Sequence, residues 1–171
     1  MWNFIGQKRP SFAIEPIDGQ ESVWDYPRPP VCVEDSREVV VRQGGIVIAK
    51  STRSVRVLET ASPPTFYIPP ADVNLDLLTK TSGSSFCEWK GAATYWSLES
   101  GDQKIQNVGW SYAAPSQPFA SIQNYLSFYP AKVECVVDDE IVRQQPGGFY
   151  GGWVTDEIIG PYKGEPGTGG W

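Results

Sequence analysis

The chain has 171 residues, enough for one domain with its own core. Its net charge is −6, its Lys and Arg are scattered, and it has no histidine. Nucleic acid and anionic membrane surfaces are therefore poor partners, and every His-based triad, His metal ligand and neutral-pH His switch is excluded. Seven Trp and eight Tyr are an unusually heavy aromatic load, which suits a rigid core, a ring-lined cleft, or both.

Residues 1–30 read as an extended arm. Pro10, Pro16, Pro27, Pro29 and Pro30 break any long element. Trp2, Phe4, Phe12, Ile14, Trp24 and Tyr26 are rings and chains that a solvated linker does not need. The arm is expected to lie on the domain surface. The start, Met1 to Ile5, is too short an apolar run before Lys8, Arg9 and Pro10 for a signal peptide. No run of eighteen apolar residues offers a membrane span. Cys32, Cys87 and Cys135 are few, odd in number and far apart, which predicts a reducing compartment, the cytoplasm, and no zinc spacing.

Regular structure is expected from Val31. Val39–Gln43 and Ile46–Ala49 are β-branched runs split by Gly44-Gly45, a hairpin signal. Val55–Glu59 is the next strand, with Val55, Val57 and Glu59 on one face and Arg56 and Leu58 on the other. A carboxylate on the Val55/Val57 face needs a cationic partner, and Arg56 points away from it. Thr65–Ile68 is a short strand between double prolines, and Asp76–Thr79 is another. Thr81–Ser85 reads as a polar turn. It leads into Cys87-Glu88-Trp89-Lys90-Gly91, where a thiol, a carboxylate, an ammonium and an indole lie within five residues.

Ala92–Leu98 and Gln103–Ala113 form a hairpin about Gly101-Asp102. Alternation puts Tyr95 and Trp96 on opposite faces and Trp110 and Tyr112 on the same one. Phe119, Ile122, Tyr125, Leu126 and Tyr129 recur at helical spacing and predict one helix over about 118–129. Ser116 is its cap, Pro118 lies in its first turn and Pro130 ends it. Lys132–Val137 and Glu140–Arg143 make a last hairpin around Asp138-Asp139. Asp138-Asp139-Glu140 lacks the spacing of a calcium loop, so no metal site is expected. The divisions are an arm (1–30), a β domain (31–143) and a Gly- and Trp-rich tail (144–171) packed on that domain.

Two stretches now carry a resemblance. The first is Val57-Leu58-Glu59-Thr60 followed by Pro63-Pro64-Thr65-Phe66-Tyr67-Ile68-Pro69. The second is Cys87-Glu88-Trp89-Lys90-Gly91 with Ala93, Tyr95 and Trp96. Trp110-Ser111-Tyr112 and Tyr125 to Tyr129 extend it. From about Val31 to Val142 the chain resembles the domain of unknown function 427, and the tail from Gln145 resembles a cyanobacterial and plant branch of that family. The resemblance implies a compact, mainly β fold of the Mss4-like kind, with twisted antiparallel sheets, and no settled activity. Many members carry a His before the double proline, where this chain has Ser62. The family is sometimes grouped with nucleotidyltransferases. That chemistry needs clustered carboxylates and a phosphate cradle, and neither GxxxxGK[ST] nor GxGxxG is present.

Three functions fit these residues. In the first, Glu59, Tyr67, Cys87, Lys90, Tyr95, Trp110 and Tyr112 line a cleft for a small anionic or aromatic molecule, with Lys90 as the anion anchor and no cofactor. In the second, the tail docks on a partner or on a second copy of the chain, giving a homo-oligomer. In the third, Cys87, Lys90 and Glu59 are catalytic in a group transfer, the ammonium lowering the thiol pKa. Cys87 and Lys90, three apart, meet only if the chain bends between them, which Gly91 permits.

Overall fold

The computed structural model describes residues 2–171. After β1 (Glu21–Ser22), a 3-10 turn, Val23–Asp25, is capped by the Ser22 hydroxyl, which accepts from the Trp24 N–H. Then come β2 (Val31–Asp35), β3 (Val39–Gln43), β4 (Ile46–Ser51), β5 (Ser54–Leu58) and β6 (Thr65–Tyr67). β7 (Leu78–Cys87), β8 (Gly91–Ser100) and β9 (Gln103–Ser111) form a long meander. β10 (Leu126–Phe128), β11 (Glu134–Val137), β12 (Glu140–Ile141), β13 (Arg143–Gln144), β14 (Trp153–Val154) and β15 (Ile158–Ile159) follow. The protein is mainly β, as its sequence predicts.

Three antiparallel sheets carry the fold, in the orders β10-β9-β8-β7, β12-β11-β3-β4 and β2-β5-β6. The β3–β4 hairpin turns at Gly44 and Gly45, with φ of +54° and +82°. Both are left-handed, as a two-residue hairpin requires. Asp138 and Asp139 supply the same geometry between β11 and β12, with φ of +44° and +68°. Aspartate tolerates that region better than most residues do.

The first two sheets bury Val39, Ile48, Leu98, Phe128 and Val137, with Ile68 from just beyond β6, in one mainly aliphatic core. A second core is aromatic and holds Tyr67, Trp110, Tyr112, Phe119 and Ile122 over Val55 and Val57. Arm and tail build a third. Val23 and Trp24 are buried against Leu58, Ala61 and Ile158, and Phe12 stacks on Trp171 at 4.9 Å. β1 pairs in parallel with β15, joining the two ends of the chain. Trp153 is 0% exposed, stacks on Phe66 at 4.8 Å and donates its indole N–H to the Phe128 carbonyl at 2.9 Å. Regular structure thus begins before Val31, and the arm is interleaved with the tail instead of merely resting on a surface.

Three expectations change. The helix expected over about 118–129 is reduced to short 3-10 turns within Gln117–Ile122, kinked at Phe119. Asn124 reverses the chain at φ +62°, and Leu126 then exchanges backbone hydrogen bonds with Ile68 at 2.8 and 2.9 Å. The apolar spacing of 119–129 is met by a helical turn and a strand that face the core in succession, so strand pairing overrides the helical period. The polar stretch Thr81–Ser85, expected as a turn, is part of the ten-residue strand β7. β7 is a sheet edge with an exposed face, so it needs no apolar alternation. A register shift between Lys80 and Ser84 absorbs the residues between them. The strand expected over Asp76–Thr79 starts at Leu78, after a 3-10 turn at Leu75–Leu77. No helix among the described residues is long and apolar enough to cross a membrane.

Candidate functional site

A cavity of about 690 Å³ opens beside the aromatic core, within the range of small-molecule sites. One wall is the end of β5 and β6, with Val57, Glu59, Thr65 and Tyr67. The second is the β7–β8 hairpin tip, Ser85 to Lys90, with Ala93 and Tyr95. The third is the end of β9, with Trp110 and, just beyond the strand, Tyr112, backed by Tyr129. The tail closes it through Gly148 to Gly152 and Lys163, and Trp2 and Arg28 come from the arm.

The hairpin tip explains how Cys87 and Lys90 come together. Cys87 is paired with Gly91, leaving Glu88, Trp89 and Lys90 as the turn. Gly91 has φ +101°, a conformation L side chains rarely adopt. The Ser116 hydroxyl donates to the Trp89 carbonyl at 2.6 Å, and the Ser116 N–H donates to the Lys90 carbonyl at 3.3 Å. The turn is thereby fixed and Lys90 folds inward to 8% exposure. Its Nζ sits 5.8 Å from the ring centroids of both Tyr112 and Phe119, and Cys87 lies alongside it.

The rings form a connected wall. The Trp110 indole N–H donates to the Tyr67 hydroxyl at 3.1 Å. Trp110 and Tyr129 have centroids 4.6 Å apart, and Tyr67 and Tyr112 6.3 Å. The Tyr95 and Ser85 hydroxyls are 2.7 Å apart. Trp96 faces the other side, packs on the aliphatic core and donates to the Ser111 hydroxyl at 2.9 Å. All seven residues singled out from the sequence as cleft residues line this one cavity.

Electrostatics divide the site. Burial raises the pKa values of Tyr67 and Tyr112, so both phenols stay neutral at physiological pH. Burial pulls the Lys90 pKa down, but Tyr67, Cys87 and Glu59, in their ionised forms, outweigh it and the net shift is upward. The net direction favours the ammonium form of Lys90. Burial and the Arg28 charge lower the pKa of Lys163, against weaker opposition from Glu59 and Glu88.

Four cationic side chains, Arg28, Lys90, Lys132 and Lys163, line the cavity against two carboxylates, Glu59 and Glu88. Arg28 is bonded to Glu59 at 3.3 Å and donates to the carbonyls of Phe4, Thr60 and Trp171. The sequence correctly required a partner for Glu59 but did not identify it. Arg28 lies 31 residues away on the arm, with no local pattern to mark it.

Trp2 and Lys163 were missed for the same reason. Arg28 Cζ and Lys163 Nζ lie 4.1 and 4.7 Å from the Trp2 ring centroid, within cation–π range. Gln145 anchors the tail wall: its amide donates to the Lys163 carbonyl at 2.6 Å and accepts from the Gly152 N–H at 3.1 Å. Gly151 lies flat on Trp110, where a Cβ would come within 2.3 Å of the indole.

Residues 31–139 match the model of a domain of unknown function, DUF427. No curated protein matches the chain.

Proposed function

For this chain, which belongs to the DUF427 domain family, we propose that it binds a small planar anion in the cavity between β6, the β7–β8 tip and the tail. The carrying observation is a net positive, ring-lined cavity in a protein whose overall charge is −6. Lys90 is buried and protonated, and among the described residues no carboxylate oxygen lies within 4.0 Å of its Nζ. A buried ammonium with no carboxylate in bonding contact favours an anion that supplies one. Tyr67, Tyr95, Trp110 and Tyr112 offer faces and edges for a flat ring.

The binding reading stands ahead of the other two for stated reasons. The chain has no histidine to serve Cys87 as a general base. The tail indole of Trp153 is spent inside its own chain, which leaves the exposed Phe149 and Tyr150 as the tail's rings for an outside partner or a second copy.

A thermal-shift comparison of naphthoate, naphthyl phosphate and neutral naphthamide tests the reading. The anions are expected to raise the midpoint of the wild type and to do so much less for Lys90→Met, while naphthamide does little. Equal shifts for charged and neutral probes, or no shift with any, would overturn it.

A further inference from the structure

We propose that Lys163 captures carbonyl compounds: its amine condenses reversibly with the aldehyde or ketone group of a planar anion held in the cavity. The choice of an anionic ligand rests on the binding reading above; the reactive amine rests on separate observations.

Lys163 is 8% exposed and lines the cavity. Its backbone is held on both sides, its N–H donating to the Ala61 carbonyl at 2.8 Å and its own carbonyl accepting from Gln145. Its Nζ is caged between rings, 4.7 Å from the Trp2 centroid and 5.6 Å from that of Tyr150.

Three charged groups from other elements face it: Arg28 of the arm, Glu59 after β5 and Glu88 of the hairpin tip. The one carboxylate at bonding distance from an arginine here, Glu59, is engaged by Arg28 at 3.3 Å. Among the described residues no carboxylate oxygen lies within 4.0 Å of Lys163 Nζ. Burial and a neighbouring cation both favour the free amine over the ammonium.

The two cavity lysines therefore have different capacities. Lys90 holds negative charge, and Lys163 supplies a nucleophilic nitrogen.

The step balances without an added reagent. The lone pair of the neutral amine attacks the carbonyl carbon, and the carbonyl π pair moves to oxygen. Transfer of a proton from nitrogen to oxygen gives a carbinolamine. Loss of water then leaves the imine. Counted from the ammonium, one carbonyl compound and one lysine cation give one protonated imine and one water.

Reductive trapping in the full chain tests this. The probe is para-formylbenzoate with cyanoborohydride near neutral pH, and adducts are located by peptide mass spectrometry. Lys163 is expected to label several-fold faster than any of the other six lysines, with its labelling rising at lower pH than theirs and suppressed by naphthoate. Lys163→Arg keeps the charge and the ring contacts and should remove the fast adduct while the protein stays folded.

Labelling spread evenly over the lysines, or absent from Lys163, would overturn the proposal. If naphthoate binds but Lys163 does not label, carbonyl capture alone fails. If Lys163 labels selectively but naphthoate does not bind or compete, the anion reading falls and the reactive amine stands.

Discussion

The guanidinium of Arg28 meets the carboxylate of Glu59 at 3.3 Å, with the arginine side chain 1% exposed and the glutamate 25%. The same guanidinium donates to carbonyls of the arm, the β5 end and the tail. It is both the partner that Glu59 requires and the clasp that joins three separate segments at the mouth of the cavity.

Arg28→Met should therefore destabilise the protein by about 3–5 kcal/mol, the cost of removing one member of a buried pair. Glu59→Gln keeps an acceptor for the guanidinium and should cost about 1 kcal/mol. Urea midpoints at constant slope check both values.

Asp35 and Glu21 predict the acid limb of stability. Burial acts to raise the Asp35 pKa, but bonds from Arg37, at 2.7 Å, and the charge of Arg56 leave it below its usual 3.8. Burial likewise opposes, and Arg56 and Tyr26 outweigh it, at Glu21, which lies below 4.5. Both folded values lie under the unfolded ones. The stabilisation is present above the unfolded values and is lost as pH falls through the folded ones. Unfolding free energy should be level from neutrality to about pH 5 and fall below about pH 4. Arg37→Met should flatten that fall, as a pH series of urea melts would show.

Trp153→Ala should cost about 3–5 kcal/mol, since it empties a fully buried indole site and orphans the Phe128 carbonyl. The loss is expected although Trp153 lies outside the DUF427 match. A thermal or urea midpoint measures it.

Much of this architecture was legible in the sequence wherever a local rule decides. Gly44-Gly45 and Asp138-Asp139 marked their hairpins because tight turns demand left-handed residues. Alternation put Tyr95 and Trp96 on opposite faces, and the fold turns Tyr95 to the cavity and Trp96 to the other core. Two misread stretches were those where tertiary pairing decides. The 119–129 spacing satisfies a helix and a turn-plus-strand equally well, and Ile68 selects the second. Thr81–Ser85 has turn composition but sits on an open sheet edge. Arg28, Lys163 and Trp2 reach the cavity from arm and tail, and no spacing rule connects residues so far apart in the chain.

Gly151→Val tests the tail wall. The added side chain would press into the Trp110 indole, where even a Cβ comes within 2.3 Å. Overpacking of this kind costs about 1–3 kcal/mol, and the displaced indole should also weaken naphthoate binding. Gly148→Ala changes a glycine whose Cβ would meet nothing within 4 Å, but its φ of +71° strains an alanine. It should lower stability modestly and leave binding nearly intact, which calorimetry can separate.

The central claim is that a buried lysine cation selects a planar anion. Calorimetric titration of naphthoate and naphthamide into wild type and Lys90→Met isolates it in one four-way comparison. The account predicts that naphthoate binds the wild type with one site, and that its advantage over naphthamide falls about 10- to 100-fold in the variant, the range of a charged hydrogen bond of about 1.5–3 kcal/mol. An advantage that survives in Lys90→Met, or naphthamide binding the wild type as tightly as naphthoate, would contradict it.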